Sequence, residues 1–145
     1  MTDTEIIEQY FKARGWEYYD EPPLAWKQFK DKYGLDNDDY IGWYRNGICA
    51  YDELPSILTD FSAFKAHVLK VMEEEGYYPC MVLRERRIPA IQDFYWRHNT
   101  NPYMKPDYQE EIIDNNILHA GVISAARYFK EQNANDSIFA GGVNL

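Results

Sequence analysis

The chain has 145 residues and carries 24 acidic against 15 basic side chains, which gives a formal charge of −9. This length is typical of a single domain that buries a core without disulfide or metal staples. The negative charge disfavours direct binding to nucleic acid or to an anionic membrane, because such binding depends on Lys and Arg. It favours a basic protein as the partner, and self-association into a homo-oligomer is compatible with it.

The N-terminal segment predicts a protein that stays in the cytoplasm. Asp3, Glu5 and Glu8 interrupt any apolar run that a signal peptide would need. No apolar stretch reaches the ~20 residues that span a bilayer. The two cysteines, Cys49 and Cys80, are too few for a disulfide framework and predict reduced thiols.

Two helices are predicted near the N-terminus. Residues 3 to 14 have apolar side chains at helical spacing, with Thr2 or Thr4 as the N-cap, and Gly15 ends the pattern. A second helix begins after Pro22 and Pro23 and ends at Gly34.

The Asn46-Gly47 pair predicts a β-hairpin with a type I′ turn, because Asn and Gly tolerate the positive φ values of that turn. Continuing the pairing outward from a two-residue turn predicts three opposite pairs. These are Arg45 with Ile48, Tyr44 with Cys49, and Trp43 with Ala50.

The clearest helix pattern covers residues 60 to 75. Asp60 is the expected N-cap and Gly76 the expected end. A stripe with 3.6-residue periodicity predicts the buried face. It consists of Phe61, Phe64, Val68, Val71 and Met72.

The C-terminal half predicts two more strands and a long helix. The strands cover residues 77 to 83 and 88 to 96, and Pro79 and Pro89 restrict them to edges, strand starts or bulges. A loop over 98 to 107 precedes a helix over 108 to 131.

These elements predict the α+β class, with an antiparallel sheet of about four strands and helices packed on it. Residues 1–132 are expected to form a single domain. Residues 133–145, which include Gly141-Gly142, are expected to form a flexible tail.

The central part of the chain resembles the small ABA sandwich proteins of bacteriophages. The resemblance depends on residues 59 to 64, which open a helix that ends at Gly76, on the strand from Tyr77 to Leu83, and on the Ala-rich helix around Ala120 to Lys130. It implies a sheet covered by helices and a phage origin. It implies no catalytic residue.

Motifs for catalysis, cofactors or metals are not found in the sequence. There is no glycine-rich phosphate loop and no nucleophile elbow, and His67, His98 and His119 are too far apart for a local metal pair. No catalytic residue, metal or cofactor is therefore predicted. An enzyme would have to assemble its site from distant residues, and that alternative stays open.

An acidic, tyrosine-rich surface is the predicted binding site. Residues 1 to 55 hold 12 acids and 6 bases. Such a surface can imitate nucleic-acid phosphates when it docks into a basic groove. Its predicted members are Asp20, Glu21, Asp36, Asp38, Asp39 and Tyr40.

A second candidate site is the basic segment, residues 84 to 106, which holds five bases and two acids. Aromatic rings stack on bases and Arg binds phosphate, so this segment would suit a nucleotide or another phosphorylated ligand. The alternative is that Trp96 packs in the core and the arginines pair with nearby acids. The candidate residues are Arg84, Arg86, Arg87, Trp96, Arg97 and Tyr103.

The function predicted from the sequence is that of an acidic, non-enzymatic protein-binding module. A phage-encoded inhibitor of a basic, nucleic-acid-handling or defence protein of the host, acting as a DNA mimic, fits this composition.

Overall fold

A computed structural model describes residues 1–20, 24–34, 42–46, 48–100 and 109–143. The first helix, α1, covers Asp3–Ala13, as predicted. The hydroxyl of Thr2 accepts a hydrogen bond from the Glu5 amide at 3.2 Å and caps the helix. Ile6, Tyr10 and Phe11 form its buried face.

The first sheet consists of β1 (Glu17–Tyr19), β2 (Gly42–Arg45) and β3 (Ile48–Tyr51), all antiparallel and in that order. The sequence did not indicate β1. The predicted second helix is present as α2, Leu24–Tyr33.

The β2–β3 hairpin confirms the predicted turn position and two of the three predicted pairs. Asn46 has φ 54°, as a type I′ turn requires, while Gly47 lies outside the described residues. Arg45 pairs with Ile48 and Tyr44 with Cys49.

The third predicted pair is wrong, because Trp43 pairs with Tyr51 and not with Ala50. A β-bulge shifts the register by one residue. It brings the ring of Tyr51 to 5.0 Å from that of Trp16 and 6.2 Å from that of Phe11. This long-range aromatic packing explains a shift that turn chemistry does not predict.

The predicted helix over 60 to 75 is present as α3, residues 61–74. It begins with Phe61–Phe64, continues through a π-helical turn at Lys65–Leu69 and ends with Lys70–Glu74. Asp60 is its N-cap, with a carboxylate oxygen 2.9 Å from the Ser62 amide. Phe64, Val68 and Met72 are buried as predicted, whereas Phe61 is 62% exposed.

The second sheet consists of β4 (Tyr77–Glu85), β5 (Ile91–His98) and β6 (Glu110–Glu111), also antiparallel and in that order. Pro79 lies in β4, an edge strand, as predicted for a residue without a backbone donor. Pro89 precedes β5.

The last helix, α4, covers Ile117–Val143, so the predicted start at residue 108 is wrong. Glu110–Glu111 pairs with β5 instead, and Asp114 and Asn115 have φ values of 53° and 58°. Both residue types tolerate this left-handed conformation, which stops helix formation there. The helix includes residues 133–143 of the segment for which the sequence predicts a tail.

The core lies where α1, α3 and α4 meet the second sheet. Its largest fully buried side chains include Trp96, Tyr10, Phe11, Met72 and Val122. The α+β class predicted from the sequence is confirmed, and the strands within the described ranges divide between two three-stranded antiparallel sheets.

Candidate functional site

One end of the first sheet brings together segments that are distant in sequence. Tyr19, the last residue of β1, pairs with Gly42, the first residue of β2. Tyr51, the last residue of β3, pairs with Trp43 beside it. Asp20 therefore leaves β1 at the same end where Asp52 and Glu53 leave β3. We call this region, with Asp20, Asp52 and Glu53, the acidic end.

Gly42 makes the close approach of β2 and β3 possible at this end. A Cβ atom on Gly42 would lie 2.4 Å from the carbonyl oxygen of Tyr51, which is closer than any side chain tolerates. The glycine thus allows the last residue of β3, and the acids that follow it, to lie directly against the start of β2.

A cleft of about 380 Å³ lies between the acidic end and α1. Asp52 and Glu53 are exposed at its edge, and Trp43, 6% exposed, contributes to its wall. The ring of Tyr18, 49% exposed, lies 5.6 Å from that of Trp43. The complete lining is Thr4, Ile7, Glu8, Trp43, Asp52, Glu53 and Leu54.

Within the described ranges, the three carboxylates of the acidic end have no cation as an ion-pair partner. Glu8 lies 3.9 Å from Lys12, but Asp20, Asp52 and Glu53 form no ion pair in the part of the chain that the structure describes. Exposed carboxylates without counter-charges produce a local negative potential that attracts cationic groups. The arrangement combines this potential with the exposed ring of Tyr18, which lies beside the buried ring of Trp43.

Among the residues that the sequence predicted for the acidic surface, the structure describes Asp20, which is exposed. The others lie outside the described residues: Glu21, Asp36, Asp38, Asp39 and Tyr40.

Sequence reasoning missed Asp52 and Glu53. A signal was present, because the second strand of a hairpin returns to the end where the first strand began. Acids directly after β3 must therefore lie near the start of β2.

The structure does not bring together the described candidate residues of the basic segment. Nε of Arg84 lies 3.2 Å from the carboxylate of Asp93, and its Nη2 lies 2.6 Å from that of Glu111. Trp96 is 2% exposed and donates its Nε1 proton to the Gly121 carbonyl at 3.1 Å. Both side chains stabilise the fold. This is the alternative stated above, in which Trp96 packs in the core and the arginine pairs with nearby acids.

The remaining arginines of the basic segment are far apart. Arg86 and Arg87 lie in the exposed turn after β4, where Arg87 is 3.7 Å from Glu85. Arg97 pairs with Tyr78 near the other end of the same hairpin. A rise of about 3.3 Å per residue puts roughly 23 Å between these positions. Tyr103 lies outside the described residues.

The comparisons with known proteins do not add a function to this geometry. No family model, no curated protein and no solved structure matches the chain. Within the described ranges, no group of three His, Cys, Asp or Glu side chains could hold a metal ion. Over the same residues, every helix is too short or too polar to cross a lipid bilayer.

Proposed function

We propose that this chain is a non-enzymatic protein-binding module whose acidic end docks with a basic partner. The observation that carries the proposal is the pairing of Tyr19 with Gly42 and of Trp43 with Tyr51. Because of these pairs, Asp20 and Asp52–Glu53 lie at the same end of the first sheet, although more than thirty residues separate them along the chain.

The neighbouring aromatic side chains support a role in recognition and not only in solubility. Protein interfaces combine charges that steer the encounter with aromatic side chains that supply buried area. Tyr18 offers an exposed ring beside Trp43, and Trp43 lines the same cleft as Asp52 and Glu53. A partner surface with Lys or Arg around a small apolar centre fits this arrangement.

The class of partner that we propose is a protein whose basic groove ordinarily holds nucleic-acid phosphates. Carboxylates at the acidic end would compete for the cations that bind phosphate, so the module would act as an inhibitor. The reducing cytoplasm is where we expect the encounter. The resemblance to phage ABA sandwich proteins suggests that the inhibited protein belongs to a bacterial host.

The experiment is a titration of the isotopically labelled protein with an oligoarginine peptide, followed by NMR. Shifts should concentrate at the acidic end, and the affinity should fall as salt rises because exposed charges are screened beyond about 8 Å at physiological ionic strength. Asp52→Lys and Glu53→Lys should each weaken binding. Glu131→Lys is the matched control, since it changes the net charge equally at an exposed position on α4.

A uniform distribution of shifts over the surface would contradict the proposal. So would equal losses of affinity in Glu53→Lys and Glu131→Lys, because net charge alone would then explain binding. Once a natural partner is known, its association rate should show the same order among the variants.

A further inference from the structure

The second sheet ends in a long edge strand. β4 pairs with β5 on one side, and within the described ranges no strand pairs with its other side. Nine residues, Tyr77–Glu85, form this edge. Unpaired N–H and C=O groups along such an edge are a template for another strand, and proteins usually protect them with short strands, charges or a covering segment.

Three successive side chains of β4 are apolar and exposed, and together they occupy both faces of the sheet. Met81, Val82 and Leu83 are 58%, 40% and 44% exposed, and successive residues of a strand point to opposite faces. Phe94, which pairs with Met81 from the neighbouring strand, is 2% exposed. The helices therefore cover Phe94 in β5 and leave Met81, Val82 and Leu83 exposed, so this stretch of β4 has the apolar composition of an inner strand at the position of an edge strand.

The two ends of β4 carry opposite charges. Glu73, Glu74 and Glu75 are exposed directly before the strand. Arg86 and Arg87 are exposed directly after it, and Glu85 opposes them with a single negative charge. Arg84 does not enter this balance because Asp93 and Glu111 neutralise it.

We propose that a second copy of this chain pairs antiparallel with the free edge of β4. An antiparallel pair of identical strands is related by a two-fold axis, so the basic end of each copy lies against the acidic end of the other. The longest overlap centres on Met81, the midpoint of the strand, and brings Arg87 of each copy opposite Glu75 of the other. The two three-stranded sheets would join into one sheet of six strands.

The self-complementary charges favour a second copy over a foreign peptide. Any extended peptide could use the backbone groups of the edge. A foreign peptide would need its own basic and acidic ends at this spacing, whereas a second copy carries both by symmetry. The pairing would also cover Met81, Val82 and Leu83 on both chains.

The first test measures mass by sedimentation velocity over a concentration series. The wild type should shift from 17.2 kDa towards twice that value as its concentration rises. Met81→Lys places a charge on the edge and should raise the dissociation constant by about tenfold or more. Glu131→Lys, on α4, should leave it unchanged, and the melting temperature of each variant checks that the fold is intact.

The second test exchanges the charges at the two ends of β4. Arg86→Glu with Arg87→Glu should block self-association, since acids would then face acids. Glu74→Lys with Glu75→Lys should block it as well, because a base at position 75 would then face Arg87 of the other copy. Mixing the two double variants should restore a dimer. At each end of the paired strands, acids of one variant would then face bases of the other.

A wild type that stays monomeric throughout the concentration series would overturn the proposal. A dimer that survives Met81→Lys, or a mixture of the charge variants that remains monomeric, would equally overturn it. A pairing of β4 with a foreign peptide would appear as a monomer in every one of these experiments.

Discussion

Arg84 and Asp93 form an ion pair across β4 and β5, with Nε of the guanidinium 3.2 Å from Oδ2 of the carboxylate. Asp93 is 4% exposed, and the Gln109 side chain donates a second hydrogen bond to the same oxygen at 2.5 Å. Arg84 lies at a β-bulge between Leu83 and Glu85, where the strand register shifts. A residue that the sequence offered for ligand binding thus stabilises a buried carboxylate.

Replacing Arg84 by Gln should lower the free energy of unfolding by about 2 kcal/mol, because the buried carboxylate of Asp93 would lose its cation. The loss is smaller than for a fully buried ion pair, since the Arg84 side chain is 48% exposed. Urea denaturation measures the change. Lys27→Gln, on the exposed face of α2, should change stability by less than about 0.5 kcal/mol. Equal effects from the two variants would show that the ion pair does not stabilise the fold.

Gly42→Ala should destabilise the protein by about 2 kcal/mol or more, because the new Cβ would lie 2.4 Å from the backbone oxygen of Tyr51 and force β2 and β3 apart. Gly34→Ala is the control. Gly34 also has a positive φ, 63°, but a Cβ there meets no atom within 4 Å. Thermal unfolding should show the larger loss for Gly42→Ala, and the reverse order would contradict the close approach of the strands.

Asn46→Val should cost about 1–2 kcal/mol, because a β-branched residue is strained at the φ of 54° that Asn46 adopts. Asn46→Gly should have a much smaller effect, since glycine adopts this conformation freely. Circular dichroism melting curves of the two variants measure this difference in stability. Similar losses for Val and Gly would mean that the turn does not require a positive φ.

His67 should make the protein less stable as the pH falls. Burial, and secondarily the charge of Arg14, lower the pKa of His67 below its ordinary value of 6.5. As the pH falls, the unfolded chain therefore takes up the proton before the folded chain does. The contribution of His67 to stability is fully present above the ordinary pKa, and it is lost as the pH falls from that value through the lower pKa of the folded state. The ring lies among Phe11, Tyr51 and Arg14.

His67→Gln tests this dependence, because Gln does not titrate. The fall in melting temperature between pH 7.5 and pH 5.5, a range that brackets the ordinary pKa of about 6.5, should be smaller in His67→Gln than in the wild type. His119→Gln, whose ring in the wild type lies 2.8 Å from Asp3, should not reduce the fall in this way. An unchanged pH dependence in His67→Gln would show that the imidazole is not held neutral by the fold.

Features that depend on a few adjacent residues could be predicted from the sequence. The N-cap at Asp60, the positive φ at Asn46 and the helix end before Gly76 all follow from the conformational preferences of single residues. The edge position of β4 agrees with one of the three placements, edge, strand start or bulge, that Pro79 allows because it lacks a backbone donor. The conformation at these positions is therefore a local property of the chain.

The tertiary structure alone decided which distant residues meet. The bulge that pairs Trp43 with Tyr51 depends on packing against α1, and the short strand Glu110–Glu111 exists because β5 offers it an edge. The same applies to the candidate site, where Asp20 and Asp52 converge through strand pairing. Such contacts join segments far apart in sequence, and their free energy comes from burial and pairing that no local pattern records.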